Sequence, residues 1–207
     1  MTKGLFITFE GPDGCGKSTQ IERLKNFLCS KGYDVVLTRE PGGTAMSEKI
    51  RSLILDPENK EESGVTEALL FAASRAQHVA EKIKPAIADG KIVLCDRFMD
   101  SSIAYQAYAR GLGEDVVSIN LFAIQGCFPD LTIFLDLDPL IGQKRQIERG
   151  KLDRLEQEGL VFQQRVYEGY QELIKKYPKR IKVVNADRNP ESIEKDIACL
   201  IQNLLEQ

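Results

Sequence analysis

At 207 residues the chain is long enough for one substantial core, and a single domain with at most a small mobile insert is expected. A hydrophobic content of 43%, a charged content of 29% and a net charge of −3 describe an ordinary globular composition and give no general reason to expect nucleic acid or an anionic membrane as partner. Five scattered cysteines with a single histidine, His78, argue against zinc and a disulfide framework and fit a reducing cytoplasm. No apolar run approaches the ~20 residues of a membrane span, and with only Met1 to Gly4 before the first strand no signal peptide is expected.

Leu5 to Phe9 is apolar and strand-like. It runs into Gly11-Pro12-Asp13-Gly14-Cys15-Gly16-Lys17-Ser18-Thr19, the phosphate-binding pattern G-x-x-x-x-G-K-[ST]. Gln20 to Leu28 follows with helical apolar spacing at 21, 24, 27 and 28. Glycines let successive backbone N–H groups turn toward phosphate oxygens, and the helix N-terminus adds its positive end. Lys17 is expected to reach the β/γ-phosphates of a nucleotide, and Ser18 to offer its hydroxyl to Mg²⁺. Cys15 occupies a position that tolerates many residues.

Strand and helix patterns then alternate, which predicts a parallel α/β sheet flanked by helices. Asp34 to Thr38 reads as the second strand, Arg39 to Thr44 as a Pro/Gly-rich loop, and Met46 to Leu55 as a helix. Pro57 to Gly64 reads as a mobile connection. Val65 to Asp89 reads as one long helix on which Phe71 and Arg75 share a face, an aromatic platform beside a planar donor fork. The third strand, Ile92 to Cys95, delivers Asp96 and Arg97 to its carboxyl end. There a carboxylate is expected to associate with Mg²⁺, and ligands gather. Ser101 to Tyr108 and Asp115 to Gln125 have helical spacing, and Leu131 to Asp136 is the fourth strand. A helix from Pro139 carries Lys144, Arg145 and Arg149, with Lys151 and Arg154 beyond it. That run, about 142–156, suits a short phosphate-facing lid. Leu155 to Tyr177 reads as a helix, Ile181 to Val184 as the fifth strand, and Pro190 to Leu205 as the last helix.

A phosphotransferase and a nucleotide-dependent switch are the competing classes. The guanine-reading N-K-x-D of a GTP switch is absent, whereas a kinase's second pocket has candidate parts in Arg39-Glu40, Phe71, Arg75, Asp96-Arg97 and Ser101 to Gln106. With no histidine base in evidence, a phosphate monoester is a fitting acceptor, because its second pKa near 6 already makes it an anion at neutral pH. Another nucleoside or nucleotide kinase, or a non-catalytic nucleotide sensor, remains open on these grounds.

The loop together with Thr38-Arg39-Glu40-Pro41-Gly42-Gly43-Thr44, Phe71-x-x-x-Arg75, Asp96-Arg97, Ser101-x-x-x-Tyr105-Gln106 and Arg149-Gly150-x-x-Asp153-Arg154 resembles bacterial thymidylate kinases over nearly the whole chain. The resemblance implies transfer from Mg·ATP to dTMP, a P-loop fold with a five-stranded parallel sheet, a cytoplasmic enzyme and a homodimer. It implies that Phe71 stacks on thymine and Arg75 bonds its O4 edge, with Ser101, Ser102, Gln106 and Glu40 in the acceptor site. Tyr105 would lie against C2′, and Arg39 and Arg97 would hold the acceptor phosphate. Asp13 would lie near the 3′-hydroxyl and the metal's waters, with Asp96 reaching the metal through water. Lys17, Arg97 and Arg149 would be catalytic, Arg149 coming from the lid because the loop carries no arginine. The pattern departs from the family at Phe98, where Tyr or His is usual, and at Ser102, where Asn or Thr is common.

Overall fold

The computed structural model describes residues 4–150 and 152–206, without the side chain of Arg149. Five strands form one parallel sheet in the order β2-β3-β1-β4-β5. They are β1 (Leu5–Glu10), β2 (Val35–Arg39), β3 (Ile92–Asp96), β4 (Leu131–Asp136) and β5 (Ile181–Asn185). Between and after them lie α1 (Lys17–Ser30), α2 (Ala45–Leu55), α3 (Gly64–His78), α4 (Lys84–Ala88), α5 (Met99–Ser102), α6 (Glu114–Ile124), α7 (Pro139–Arg149), α8 (Leu160–Lys176) and α9 (Pro190–Leu205).

Strand alternation sorts the central side chains onto two faces. Ile7, Phe9, Leu94, Ile133 and Leu135 pack against Leu24 and Leu28 of α1 and Ile193, Ile197 and Ile201 of α9. Phe6, Val93 and Phe134 face Ile103, Val166 and Tyr170 on the other side. Each such side chain taken from water contributes about 1.5–3 kcal/mol, so both faces of the sheet are fixed independently. Glu10 falls on the face of Phe6, two residues beyond Thr8, and is carried into the interior with them.

Three expected helices differ in detail. The long helix from Val65 is regular to His78, widens into a π-turn at Val79–Ile83, and resumes as α4. Pro85 has no N–H to return to residue 81, and the N–H of Lys84 instead bonds the carbonyl of Val79. The segment after β3 is likewise α-helical only over Met99–Ser102 and π-helical over Ile103–Ala109. The helix expected from Leu155 begins at Leu160. Gly159, at φ 82 and ψ 176, breaks the chain direction after a 3-10 turn at Glu156–Glu158.

Gly169 stays inside α8 for a packing reason. A Cβ there would lie 2.9 Å from Tyr108 Cβ and 3.1 Å from Ala104 Cα. Its absence lets α8 approach the π-helical segment. A second backbone approach joins the phosphate loop to the base of α7. A Cβ on Gly142 would lie 2.2 Å from the Asp13 carbonyl oxygen, and one on Gly14 2.5 Å from that of Gly142.

Candidate active site

A cavity of about 760 Å³ opens at the carboxyl ends of β1, β2 and β3. Its floor is the phosphate loop, with Asp13, Gly14, Gly16, Lys17, Ser18 and Thr19 in the lining, while Gly11, Pro12 and Cys15 sit behind. Gly14 and Gly16 take φ of 78° and 93°, which any Cβ would strain. Lys17 Nζ bonds the carbonyls of Gly11 and Pro12, both at 3.1 Å. The Cys15 thiol is buried beside Lys17, and burial pushes its pKa up. Ser18 Oγ donates to Asp96 Oδ2 at 3.1 Å.

Arg97 stands between the loop and the far wall, in a left-handed backbone conformation with φ 68. Nη2 reaches Asp13 Oδ1 at 2.5 Å and Tyr105 Oη at 3.2 Å, and Nη1 reaches Ser101 Oγ at 3.1 Å and Tyr170 Oη at 3.2 Å. Tyr105 also donates to Asp13 Oδ2 at 3.0 Å. Burial alone would raise the Asp13 carboxyl, but the charges of Arg97 and Lys17 and the two hydrogen bonds bring it down to about 2. Glu10, beneath Ser101, is pushed the other way. Its burial and the nearby Asp100 charge raise it to about 7.

The far wall is apolar and then polar. Phe71 packs with Ile54 and Leu155, and Tyr105, Ser101, Ser102 and Gln106 complete it. Gln106 gives its Nε2 to Glu67 at 2.8 Å, while its Oε1 is buried without a partner. Arg39, also in the lining, pairs with Glu48 at 2.9 Å. Arg75 lies behind the wall and does not line the cavity. It donates to Glu40 at 2.7 Å, Ser102 at 2.9 Å, the Phe98 carbonyl at 3.0 Å, and Asn120. The other Glu40 oxygen meets His78 Nδ1 at 2.9 Å, and His78 Nε2 meets Thr38 at 2.6 Å. The one histidine is therefore held in a buried network away from the reaction path.

A model of the family described as thymidylate kinase matches residues 9–197. The chain is 51% identical to the thymidylate kinase of Oceanobacillus iheyensis over 207 residues, 99% of this chain and 92% of that protein. It is 55% identical to that of Geobacillus sp. (strain WCH70) over 190 residues, 90% of each. The chain belongs to the thymidylate kinase family. The crystal structure of thymidylate kinase from Ehrlichia chaffeensis superposes with a TM-score of 0.78 at 34% identity, covering 96% of this chain and 98% of that one. The expected P-loop fold and family are thus both found.

Set against the pattern that marks thymidylate kinases, the two departures have different settings. Phe98 points into the core, edge-on to Phe6 at 4.9 Å with Arg75 over its ring at 5.4 Å. Ser102 lines the cavity while accepting from Arg75. The lid cations diverge as well. Arg145 lines the cavity and bonds the Gly14 carbonyl at 3.2 Å. Arg154 turns away from the loop to Glu67 at 2.7 Å and Glu62 at 3.4 Å, so the phosphate-facing role does not extend to it. The Arg149 side chain and Lys151 lie outside the described residues. Glu62 also ties down the connection after Pro57.

Sequence reasoning passed over Glu10, Glu67, Arg110, Asn120 and Tyr170, and over Arg51, which lines the cavity. For Glu10 a signal was available, an acid closing a mostly apolar strand. Among the described residues no group of three or more His, Cys, Asp or Glu could hold a metal. A Mg²⁺ would fit at Ser18 and Asp96, hard oxygen ligands beside the phosphate floor, with substrate oxygens supplying the rest. Both Asp13 oxygens are engaged by Arg97 and Tyr105, which leaves that carboxylate less free for a metal water than the sequence suggests.

Proposed function

We infer that this chain transfers the γ-phosphoryl group of ATP to dTMP, giving dTDP and ADP. One observation carries the reading: a single cavity joins the phosphate loop at Lys17 and Ser18 to an aromatic and amide wall at Phe71, Tyr105 and Gln106, with Arg97 between them. An acceptor phosphate oxygen forms the new bond to the γ-phosphorus while the bond from that phosphorus to the bridging oxygen of ADP breaks. The work of the protein is to bring the two together and meet the charge.

On this reading Lys17 holds the donor phosphates, and Arg97, with Arg39 swinging from Glu48, holds the acceptor phosphate. Phe71 offers its face to thymine, and Ser101, Ser102, Glu40 and Gln106 frame the base. Arg75 acts from behind the wall by fixing Glu40 and Ser102. Tyr105, held by Asp13 and Arg97, leaves no room for a 2′-hydroxyl. Mg²⁺ would supply charge neutralisation at the phosphates when bound beside Ser18 and Asp96. Arg149 is the lid cation proposed to meet the transferring group, and Arg149→Ala should lower kcat by about 10³ with little change in the KM for dTMP.

The same reading includes a homodimer and a cytoplasmic location. Leu53 of α2, Val65 and Leu69 of α3, and Leu121 and Phe122 of α6 are exposed, Phe122 by 86%, and such a surface suits a second copy. All five thiols are free, as suits a reducing compartment. No described helix is long and apolar enough to cross a membrane. A coupled ADP-release assay across nucleosides and monophosphates tests the activity, with dTMP expected to be the best acceptor. Turnover favouring a nucleoside, or none with any acceptor, would replace the reading with another kinase or a nucleotide sensor.

A further inference from the structure

The alternation of β1 places Glu10 on the inner face, under the point where Arg97 crosses the cavity. Its side chain is buried to within 1%, and every partner it has is a donor. The Phe98 N–H donates to Oε1 at 2.8 Å; Ser101 Oγ at 2.6 Å and Tyr170 Oη at 2.8 Å donate to Oε2. Those two hydroxyl oxygens lie 2.8 Å apart, and both receive Arg97 Nη1. Three elements, β1, α5 and α8, therefore converge on one edge of one guanidinium.

We infer that Glu10 is a positioning residue for the acceptor phosphate: its carboxylate draws the Ser101 and Tyr170 protons inward, so that both hydroxyls face Arg97 with lone pairs only. The inference rests on the reading that Arg97 holds the phosphate of dTMP. An ionised carboxylate has no proton to give, so neither hydroxyl can reverse without losing its partner. An amide in the same place would donate to one of the two and turn that hydroxyl's proton toward the arginine. The arrangement also preserves charge. On the Nη1 side neutral hydroxyls orient the guanidinium without neutralising it, and its direct carboxylate contact, Asp13, is confined to Nη2. The left-handed backbone at Arg97 is a conformation that persists only where the surroundings over-determine it, and the Glu10 cluster is part of those surroundings.

The test compares dTMP with thymidine, which carries the same base and sugar but no phosphate. Calorimetry at about pH 8, where the carboxylate is ionised, measures both affinities for wild type, Glu10→Gln and Arg97→Ala. Glu10→Gln is expected to weaken dTMP about tenfold while leaving thymidine unchanged; a purely structural role would weaken both alike. An unchanged dTMP-to-thymidine ratio in Glu10→Gln, with the ratio collapsed in Arg97→Ala, overturns the inference alone. A ratio intact in Arg97→Ala as well overturns the underlying reading of Arg97. If Glu10→Gln binds neither ligand, Tyr170→Phe decides, because it keeps the ring and deletes only the hydroxyl. A reduced ratio there supports the inference, and a wild-type ratio ends it.

Discussion

Arg75 shows how a residue's setting changes what its substitution should do. Read as a base-facing donor, it would affect only the KM for dTMP. Buried at 1% exposure with Glu40, Ser102, Asn120 and the Phe98 carbonyl as partners, it also holds the interior together. Arg75→Ala strands the Glu40 carboxylate and should destabilise the fold by about 3–5 kcal/mol, read as a lowered urea midpoint. An unmoved midpoint would mean that water replaces the guanidinium. Glu10 gives a pH prediction. Burial and Asp100 raise its carboxyl to about 7, against the opposing pull of Arg97, from an ordinary value near 4.5. Between those values the folded chain keeps a proton that the unfolded chain has lost, so this group's contribution to stability falls as pH rises. Glu10→Gln removes that slope. Its stability relative to wild type should improve from about pH 5 to about pH 8, and a constant difference in urea titrations would contradict the assignment. The setting of Arg75 was not legible in the sequence. Spacing put Phe71 and Arg75 on one face but could not say that Asn120, forty-five positions on, would take the arginine's free edge.

At the scale of elements, strand positions were legible because parallel strands buried on both faces appear as short apolar runs, and β1, β3, β4 and β5 lie within a residue or so of expectation. Helix ends and interruptions were less so. Gly159 and Gly169 read alike in sequence, yet one ends a segment and the other lets two elements touch, a difference that depends on Ala104 and Tyr108. The cation run was misread at Arg154 for a related reason: its acids lie far back in the chain, Glu62 just before α3 and Glu67 within it. Glu67 of α3 accepts from Gln106 at 2.8 Å, Arg110 at 2.9 Å and Arg154 at 2.7 Å, and Arg110 also reaches Glu158 at 2.5 Å. This clasp fastens the chain after α7 over the cavity. Arg154→Met should loosen it, speeding tryptic cleavage after Arg149 by about a hundredfold through local opening. Equal cleavage rates would mean that the remaining ties, Leu155 and the Arg110–Glu158 and Gln146–Glu156 contacts, hold the segment.

For the whole molecule, the exposed apolar residues of α2, α3 and α6 predict an assembly that one charge can undo. Phe122→Glu should shift sedimentation from dimer to monomer, since a stable interface needs roughly 1,000 Å² of well-packed surface and Phe122 lies in the proposed patch. A wild-type monomer would refute the dimer, and a dimeric variant would place its surface elsewhere. Opening of the cavity to nucleotides is also a property of the whole molecule, and the paired glycines at 14 and 142 constrain it. Backbone there meets backbone without intervening side chains, so the first turn of α7 is fixed to the phosphate loop. Any swing must pivot beyond Gly142. From that fulcrum to Arg149 the helix extends about 10 Å at 1.5 Å per residue. On so short a lever, a rotation of ~15° carries the tip only about 3 Å. On the proposed reading, opening would resemble the tilt of a hinged rod more than the lifting of a flap, and ATP would exchange while the floor proposed to hold its phosphates stays still.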